Sequence, residues 1–241
     1  MYQPLEYLDV PQDDERVWRY LDFTKFLSLL DKQALFFVSL KKLAYTDKFE
    51  GLYPNFDAND FSFIPDSSQI IDNARKFTKQ YRQHLFVNCW HLSNIESYAM
   101  WKIYLKNEEG IAIKTSFKGL KDSFNNYSEP LFIGKVIYDN NPRITTRIMN
   151  CFYKSRSFEF EKELRIALEK LPVDQAGQLN VELSAQTNGH YINVDVKTLL
   201  EEVIVSPTAP SWFYELIQSV VSKFGLSQSI VKQSILAEEP Q

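Results

Sequence analysis

The chain has 241 residues, of which 44% are apolar and 24% charged, a composition that is typical of a globular protein and excludes wholesale disorder. Its net charge of −4 argues against broad nucleic-acid binding driven by phosphate contacts. Its seven glycines are too widely spaced for the glycine-rich loops of dinucleotide-binding folds and P-loop NTPases.

Apolar spacing and turn residues define the elements of the first third of the chain. In chain order they predict an acidic, flexible leader at 1–14, a strand at 17–21, a helix from residue 23, a strand at 34–39, an irregular loop at 46–66 and a helix at 69–84. Asp22 precedes the first helix, and an aspartate there caps the open backbone N–H groups of a helix. A loop as long as 46–66 is more often functional than idle.

The remaining two thirds mix strands and helices without a regular βαβ spacing. In chain order we expect a strand at 85–91, a helix at 95–105, a strand at 110–115, a helix at 117–124, a strand at 131–138, a helix at 142–154, a strand at 158–168, strands at 190–194 and 203–206 with a one-turn helix between them, a helix at 210–224, a strand at 229–236 and a flexible tail at 237–241. This order predicts a single α+β domain over 1–241, with a mainly antiparallel central sheet and flanking helices.

The start of the chain and the cysteines indicate a cytoplasmic protein. The first 15 residues contain neither a basic segment nor an apolar stretch, so they do not resemble a signal peptide. No apolar run approaches the roughly 20 residues that span a membrane, so we expect no membrane contact. Two cysteines, Cys89 and Cys151, are too few for a disulfide framework, and reduced, buried thiols are expected.

Metal and serine-hydrolase chemistry have little support in the sequence. Cys89 and His91 are two residues apart and would share one face of a strand. Zinc needs about four such ligands, and no second pair of Cys or His lies nearby, so we expect no metal. The HExxH and GxSxG motifs are absent.

The segment 158–168, FEFEKELRIAL, has the densest charge pattern of the chain. A strand here would alternate two faces, with Phe158, Phe160, Leu164 and Ile166 on one face, interrupted by Lys162, and Glu159, Glu161, Glu163 and Arg165 on the other. Adjacent carboxylates repel each other, and burial raises their pKa values. Such a row suits a solvated strand or helix face, or a cleft in which a carboxylate stabilises a cationic sugar or binds ribose hydroxyls. A metal-dependent nuclease would need a Glu-x-Lys spacing that this segment lacks.

Three segments carry a resemblance to a known family. They are VWRYLDFTKFLSLLDKQALFFVSLKKLAYTDKFEG, VNCWHLSNIESYAMWKIYLKNEEGIAIKT and FEFEKELRIAL, in that order along the chain. They resemble the opening, the centre and the Glu-x-Glu-x-Arg segment of the bacterial and phage domain-of-unknown-function family 2971. The resemblance covers roughly residues 15–170, and the outline of that family is similar to the ADP-ribosyltransferase superfamily, especially its DNA- and RNA-modifying toxin branch.

The likeness to ADP-ribosyltransferases implies NAD as a substrate and assigns residues to its parts. In that mapping Arg19 contacts the adenosine side of NAD and Ser39 lies near the nicotinamide ribose. Tyr104 or Trp101 stacks on nicotinamide.

The same mapping assigns the catalytic role to a carboxylate of the 158–168 segment. Glu163, or Glu161, would hydrogen-bond the ribose 2′-hydroxyl and stabilise the positive charge that forms when the nicotinamide bond breaks. Tyr20 and Arg165 are further candidates for NAD binding.

Three functions from different classes follow. The first is an NAD-consuming enzyme, an ADP-ribosyltransferase or NAD glycohydrolase, that acts on a protein or nucleic-acid target in toxin activity or antiviral defence. The second is a non-catalytic interaction or sensor module of a defence system, and the third a nucleic-acid-acting enzyme. A purely structural alternative is that Arg19 is the buried ion-pair partner of Glu163 or Glu161. Trp18, Trp90 and Trp101 are also typical of core anchors.

Overall fold

The computed structural model describes residues 2–48, 50–52, 67–105, 108–139, 146–180 and 187–237. Its strands are β1 (Arg16–Asp22), β2 (Ala34–Ser39), β3 (Leu85–Leu92), β4 (Gly110–Ser116), β5 (Phe132–Lys135), β6 (Ile137–Tyr138), β7 (Tyr153–Lys154), β8 (Glu163–Glu169), β9 (Gly189–Asn193), β10 (Glu202–Val205) and β11 (Val231–Gln233). Its α-helices are α1 (Phe23–Lys32), α2 (Leu40–Leu43), α3 (Ser67–Tyr81), α4 (Tyr98–Tyr104), α5 (Phe117–Asp122), α6 (Val196–Leu199) and α7 (Ser211–Lys223). Its 3-10 helices are Arg82–His84, Arg147–Phe152, Arg156–Glu161, Gln228–Ile230 and Ile235–Ala237.

Over the described ranges, nine strands form one sheet with helices around it. Seven of them follow the order β11-β10-β4-β1-β3-β2-β9, while β8 pairs with β3 and β5 pairs with β8. Every pairing in this sheet is antiparallel except that of β10 with β11. The predicted single α+β domain with a mainly antiparallel sheet is therefore confirmed.

The first helix shows how local sequence sets an element. Asp22 has extended backbone angles, and its Oδ1 accepts a hydrogen bond of 2.8 Å from the backbone N–H of Lys25, as expected for an N-cap. The helix ends at Gln33, whose φ of 47° lies in the left-handed region. Phe26, Leu29 and Leu30 lie on the inner face of the helix and are buried in the largest apolar cluster of the described residues.

The strands β1 and β2 separate from each other along one edge of β3, and this separation forms a cleft. One edge of β3 pairs with β2 at Val38↔Val87 and with β1 at Trp18↔His91, so the two neighbours meet opposite ends of the same strand. Between these contacts, Asn88–Trp90 has no strand partner on that edge within the described chain. The other edge of β3 pairs continuously with β8. The strands β1 and β2 thus diverge and leave an opening above the middle of β3.

The predicted strand at 158–168 is only half correct. Strand β8 begins at Glu163, and the residues before it form the 3-10 helix Arg156–Glu161. Lys162 separates the two with a φ of 41°, a left-handed conformation that no strand continues through. Glu159 and Glu161 therefore do not share a strand face with Glu163, and the predicted row of carboxylates is wrong.

The predicted helix at 142–154 also differs from the structure. Residues 140–145, which include its predicted start, lie outside the described residues. From 147 to 152 the chain is a 3-10 helix, followed by β7. Ile148, Met149, Cys151 and Phe152 are all buried in a second apolar cluster, a nearly continuous run that an amphipathic α-helix would not bury.

The predicted flexible leader is attached to the sheet. Tyr2 forms a β-bridge with Leu131, and the backbone N–H of Gln3 donates to the Leu131 carbonyl at 2.8 Å. Leu8 is buried against Gly134, where an added Cβ would lie 2.1 Å from the Leu8 Cγ. Residues 53–66 of the predicted loop and 238–241 of the predicted tail lie outside the described residues. No helix among the described residues combines the length and the apolarity needed to cross a bilayer.

Candidate functional site

The opening between β1 and β2 is a cleft of about 430 Å³. Its walls come from β1, β3, β8, α4 and the turn after α2, with the 3-10 helix Arg156–Glu161 at one side. Six of the eight residues predicted for the site line it, namely Arg19, Tyr20, Tyr104, Glu161, Glu163 and Arg165. The structure does not place the other two, Ser39 and Trp101, on this cleft.

Arg19 is the cation on the β1 side of the cleft. Its Nη1 donates to the Asn88 side-chain Oδ1 at 2.9 Å and to the Cys89 backbone carbonyl at 2.5 Å, and its Cζ lies 5.9 Å from the centre of the Trp90 ring. Among the described residues, no carboxylate lies within ion-pair distance of this guanidinium. Burial lowers the pKa of Arg19, although an arginine stays protonated at neutral pH. A half-buried positive charge that forms no direct ion pair with the described residues therefore faces the cleft.

Asn88 connects the two sides of the opening between β1 and β2. Its side-chain Nδ2 donates to the Phe36 carbonyl of β2 at 2.9 Å, while its Oδ1 accepts from Arg19 of β1. The same Oδ1 accepts from the Trp90 indole N–H at 2.8 Å. These side-chain bonds replace the strand pairing that the diverging backbones cannot make.

Arg165 forms the floor of the cleft and is fully buried. Its Nη1 and Nη2 bind the Glu50 Oε1 and Oε2 at 2.5 and 3.1 Å, and Nη2 also lies 3.1 Å from the Glu163 Oε2. Its Nη1 donates to the Cys151 carbonyl at 2.7 Å. Burial opposes its charge, but Glu163 and Glu50 outweigh burial and hold the pKa of Arg165 well above its ordinary value. The Arg165 guanidinium therefore holds Glu50 and Glu163 in place and does not direct these hydrogen-bond donors towards a ligand.

Glu163 is the carboxylate at the start of β8 and is 5% exposed. It pairs with Arg165 and, at 3.5 Å, with the Lys154 Nζ. Burial alone would raise its pKa, but the charges of Arg165 and Lys154 prevail and lower the pKa of Glu163 to about 2. Glu163 is therefore ionised at neutral pH.

Glu161 lies beside Glu163 but has the opposite electrostatic behaviour. Its Oε2 is 2.5 Å from the Lys154 Nζ, which thus links both carboxylates. Burial raises the pKa of Glu161 despite that contact. The two carboxyl groups differ in their readiness to hold a proton, a contrast that is common in sites of acid–base chemistry.

The aromatic candidates divide into one at the mouth and two inside. Tyr104 ends α4 and is 44% exposed. Burial of its hydroxyl and the nearby Glu163 charge raise the pKa of Tyr104, so the phenol keeps its proton. Trp101 is buried, donates from Nε1 to Glu96 at 2.6 Å and packs edge-on against Tyr20 at 4.8 Å. Trp101 thus supports the wall, whereas Tyr104 can meet a ligand.

Ser39 has a structural role in this fold. Its side chain caps α2 by accepting a hydrogen bond of 3.2 Å from the backbone N–H of Lys42. Its own N–H donates to the Asn188 carbonyl, and the residue is buried. The Ser39 hydroxyl is therefore engaged in a cap and lies away from the lining of the cleft.

The cleft also contains ionisable residues that were not predicted for the site, among them Lys154, Glu50, Cys89 and His91. Lys154 and Glu50 come from segments distant in the sequence, and only the folded chain brings them to Glu163 and Arg165. Cys89 and His91 were considered together as metal ligands and not as cleft residues, although both line the cleft, as their two-residue spacing on one strand face allows. Across the described part of the chain, no three His, Cys, Asp or Glu side chains are grouped so as to hold a metal ion.

Comparison with known proteins adds no assignment to this geometry. No protein-family model matches the chain, and neither a curated protein nor a solved structure shows significant similarity to it. The chemistry of the cleft is thus the basis for a function.

Proposed function

We propose that the cleft binds NAD and breaks its nicotinamide–ribose bond, as ADP-ribosyltransferases do, and that the ADP-ribose passes to a protein or nucleic-acid target or to water. The observation that supports this most is the grouping of three side chains around one cleft: the Arg19 guanidinium, which has no ion-pair partner among the described residues, the ionised Glu163 carboxylate and the exposed ring of Tyr104. The membership of family 2971 that the sequence suggests is part of the same proposal.

Bond cleavage needs negative charge next to the sugar. The bond between ribose C1′ and the nicotinamide nitrogen breaks, and both of its electrons leave with nicotinamide. The ribose then carries positive charge until a nucleophile adds to C1′ and loses its proton. Glu163 suits this step because Arg165 and Lys154 keep it ionised and fixed before a substrate arrives. Its oxygens, or those of Glu161, can also accept a hydrogen bond from the ribose 2′-hydroxyl.

Substrate binding needs positive charge for the phosphates and a surface for the rings. Arg19 supplies a guanidinium with five N–H donors, and its two hydrogen bonds to the described residues both come from Nη1. It can thus bind a phosphate oxygen while keeping its present contacts. Tyr104 offers a ring at the mouth for stacking. A volume of about 430 Å³ is within the usual range of small-molecule sites.

The release of free nicotinamide tests the proposal. Purified protein is incubated with NAD, with and without a lysate as a source of acceptors, and nicotinamide is measured by chromatography. We expect release by the wild type, a loss of roughly 10²–10³ in rate for Glu163→Gln, and no change for Glu202→Gln. Glu202 is a matched control because it pairs with Lys114 at 3.0 Å on β10, outside the cleft. Absence of release by the wild type under both conditions overturns the proposal.

A second variant protects the test against misfolding. Glu163→Gln changes a buried ion pair and is checked by circular dichroism before its activity is compared. Tyr104→Ala changes a half-exposed side chain at the mouth and should leave the fold intact. We expect it to raise the KM for NAD, and an unchanged KM would contradict the stacking role.

A non-catalytic interaction module is the second candidate. It is favoured by exposed apolar side chains on α4, where Tyr98 is 55% and Ile103 52% exposed. It predicts no nicotinamide release and a stable partner in pull-down experiments. Tyr98→Ser, on the exposed face of α4 and outside the lining of the cleft, would weaken that partner but leave NAD cleavage unaffected, so this variant separates the two candidates.

A further inference from the structure

His91 lies directly opposite Glu163 in the pairing of β3 with β8. Residues that face each other in an antiparallel pair project from the same side of the sheet, with Cβ atoms about 5 Å apart. His91 also lines the cleft, between Tyr20 of β1 and the 3-10 helix that carries Glu161. The ring is thus a close neighbour of the carboxylate proposed to act on the ribose.

The hydrogen bonding of His91 fixes which ring nitrogen carries the proton. Its Nδ1 is 2.6 Å from the backbone carbonyl oxygen of Glu161. A carbonyl oxygen only accepts, so Nδ1 must be the donor and must be protonated. In the neutral ring the lone pair then resides on Nε2. A base held in one tautomer by a second group is the arrangement of the catalytic histidines of hydrolases.

The Nε2 atom of His91 is open to the cleft. It makes no hydrogen bond within the described residues, and it is not among their buried, unsatisfied atoms. The titratable and charged groups around the ring are Tyr20 from β1, Cys89 from β3, Tyr104 from α4, Lys154 from β7, Glu161 from the 3-10 helix before β8, Lys162 directly after that helix, and Glu163 from β8. Burial, assisted by the charge of Lys162, lowers the pKa of His91, so the ring is neutral at pH 7.

We infer that His91 is the proton acceptor of this site, taking the proton of the incoming nucleophile on Nε2. The inference rests on the proposed NAD cleavage. As the bond from the nucleophile oxygen or nitrogen to ribose C1′ forms, its O–H or N–H bond breaks and the proton moves to His91. The resulting imidazolium returns its proton to water after the product leaves. In this proposal Glu163 stabilises the positive charge on the ribose, and His91 takes the proton from the acceptor.

The choice of base has a consequence for the acceptor. An aliphatic hydroxyl, a nucleobase N–H or water must lose a proton to become a stable product, and a neutral imidazole takes it near pH 7. We therefore expect the ADP-ribose to be transferred to a group that carries an O–H or N–H proton.

Kinetics of His91→Gln test this role. Glutamine can still donate to the Glu161 carbonyl but cannot accept a proton at neutral pH. We expect product formation to fall by about 10²-fold or more in kcat, with little change in the KM for NAD. His190→Gln, on β9 outside the cleft, should behave as wild type. The wild-type rate should also decline as the pH falls through the pKa of His91, which lies below 6.5. The pH–rate profile of the variant should lack this decline.

Nitrogen NMR of histidine-labelled protein gives a readout that does not require turnover. We expect the His91 signals of the tautomer with a proton on Nδ1, and the opposite neutral tautomer would overturn the inference. If the wild type and His91→Gln release nicotinamide equally while Glu163→Gln does not, the role of His91 fails and the proposed function stands. If the wild type releases none, both fail together.

Discussion

Arg165 and Glu50 form a two-pronged ion pair in the interior, with N···O distances of 2.5 and 3.1 Å across 115 positions of the chain. The side chains of both residues are almost entirely buried. The contact ties the turn after α2 to the strand that carries Glu163, which Arg165 binds at the same time. One arginine thus couples the order of a surface turn to the position of the proposed catalytic carboxylate.

Removing Glu50 should destabilise the fold. In Glu50→Gln, Arg165 loses one of two charged partners while remaining buried, and loss of one member of a buried pair costs about 3 kcal/mol or more. Urea unfolding would measure the change. The control is Glu129→Gln, which breaks a pair with Lys170 on a half-exposed side chain and should cost at most about 1 kcal/mol. Equal effects in the two variants would contradict a special role for the buried pair.

Acid should destabilise the protein through Glu163. Its folded-state pKa of about 2 lies below the ordinary 4.5, so the ionised group stabilises the fold above the ordinary value. That contribution, about 3 kcal/mol, is lost as the pH falls from 4.5 towards 2. Urea unfolding at pH 7, 4 and 3 should show a steeper loss for wild type than for Glu163→Gln. Glu161→Gln should keep the steep loss, because burial raises rather than lowers that pKa.

Arg19 should govern the affinity of the cleft for anions. Arg19→Gln removes the guanidinium that has no carboxylate partner among the described residues, and a hydrogen bond to a charged group contributes about 1.5–3 kcal/mol. We expect binding of ADP-ribose or pyrophosphate, measured by calorimetry, to weaken at least about tenfold. Arg75→Gln, on the exposed face of α3, should leave the affinity unchanged. A wild-type affinity in Arg19→Gln would show that the anion binds elsewhere.

The cap of α1 should contribute measurably to stability. Asp22→Ala removes the acceptor for the Lys25 N–H at 2.8 Å, and losing an N-cap of this type costs about 1 kcal/mol. Asp31→Ala, on the exposed end of the same helix, should have a smaller effect. Both are read from the midpoint of thermal unfolding. A larger loss for Asp31→Ala would contradict the capping role.

Strongly patterned elements could be predicted from the sequence because their local signals agree with their packing. The strand around Arg19 and the helix after Asp22 are examples, since apolar spacing and a capping residue coincide there. The prediction of one strand over 158–168 was wrong because the phenylalanines and glutamates at its start alternate as they would in a strand. Its period-two pattern was interrupted at Lys162, and the structure has its left-handed turn at that residue.

The candidate site was predictable in its residue types but not in its contacts. Arg19 and Glu163 do reach one cleft, yet Glu163 forms ion pairs with Arg165 and Lys154 and not with the arginine of the first strand. Ion pairs between residues far apart in the sequence, such as Glu50 with Arg165, cannot be predicted from local residue spacing. Each of the two residues, taken alone, is compatible with a solvated surface. Ser39 was misplaced because a serine at a strand end can be either a ligand contact or a helix cap, and here it caps α2.

Where β1 diverges from β2, the Nη1 of Arg19 donates to the Cys89 carbonyl in the gap, while its remaining N–H groups make no hydrogen bond to the described residues. We therefore expect a ligand bound in the cleft to leave the strand pairing on either side of the gap unchanged. Occupancy should therefore change hydrogen-exchange protection at the mouth near Tyr104 and leave the amides of β3 as slow to exchange as before.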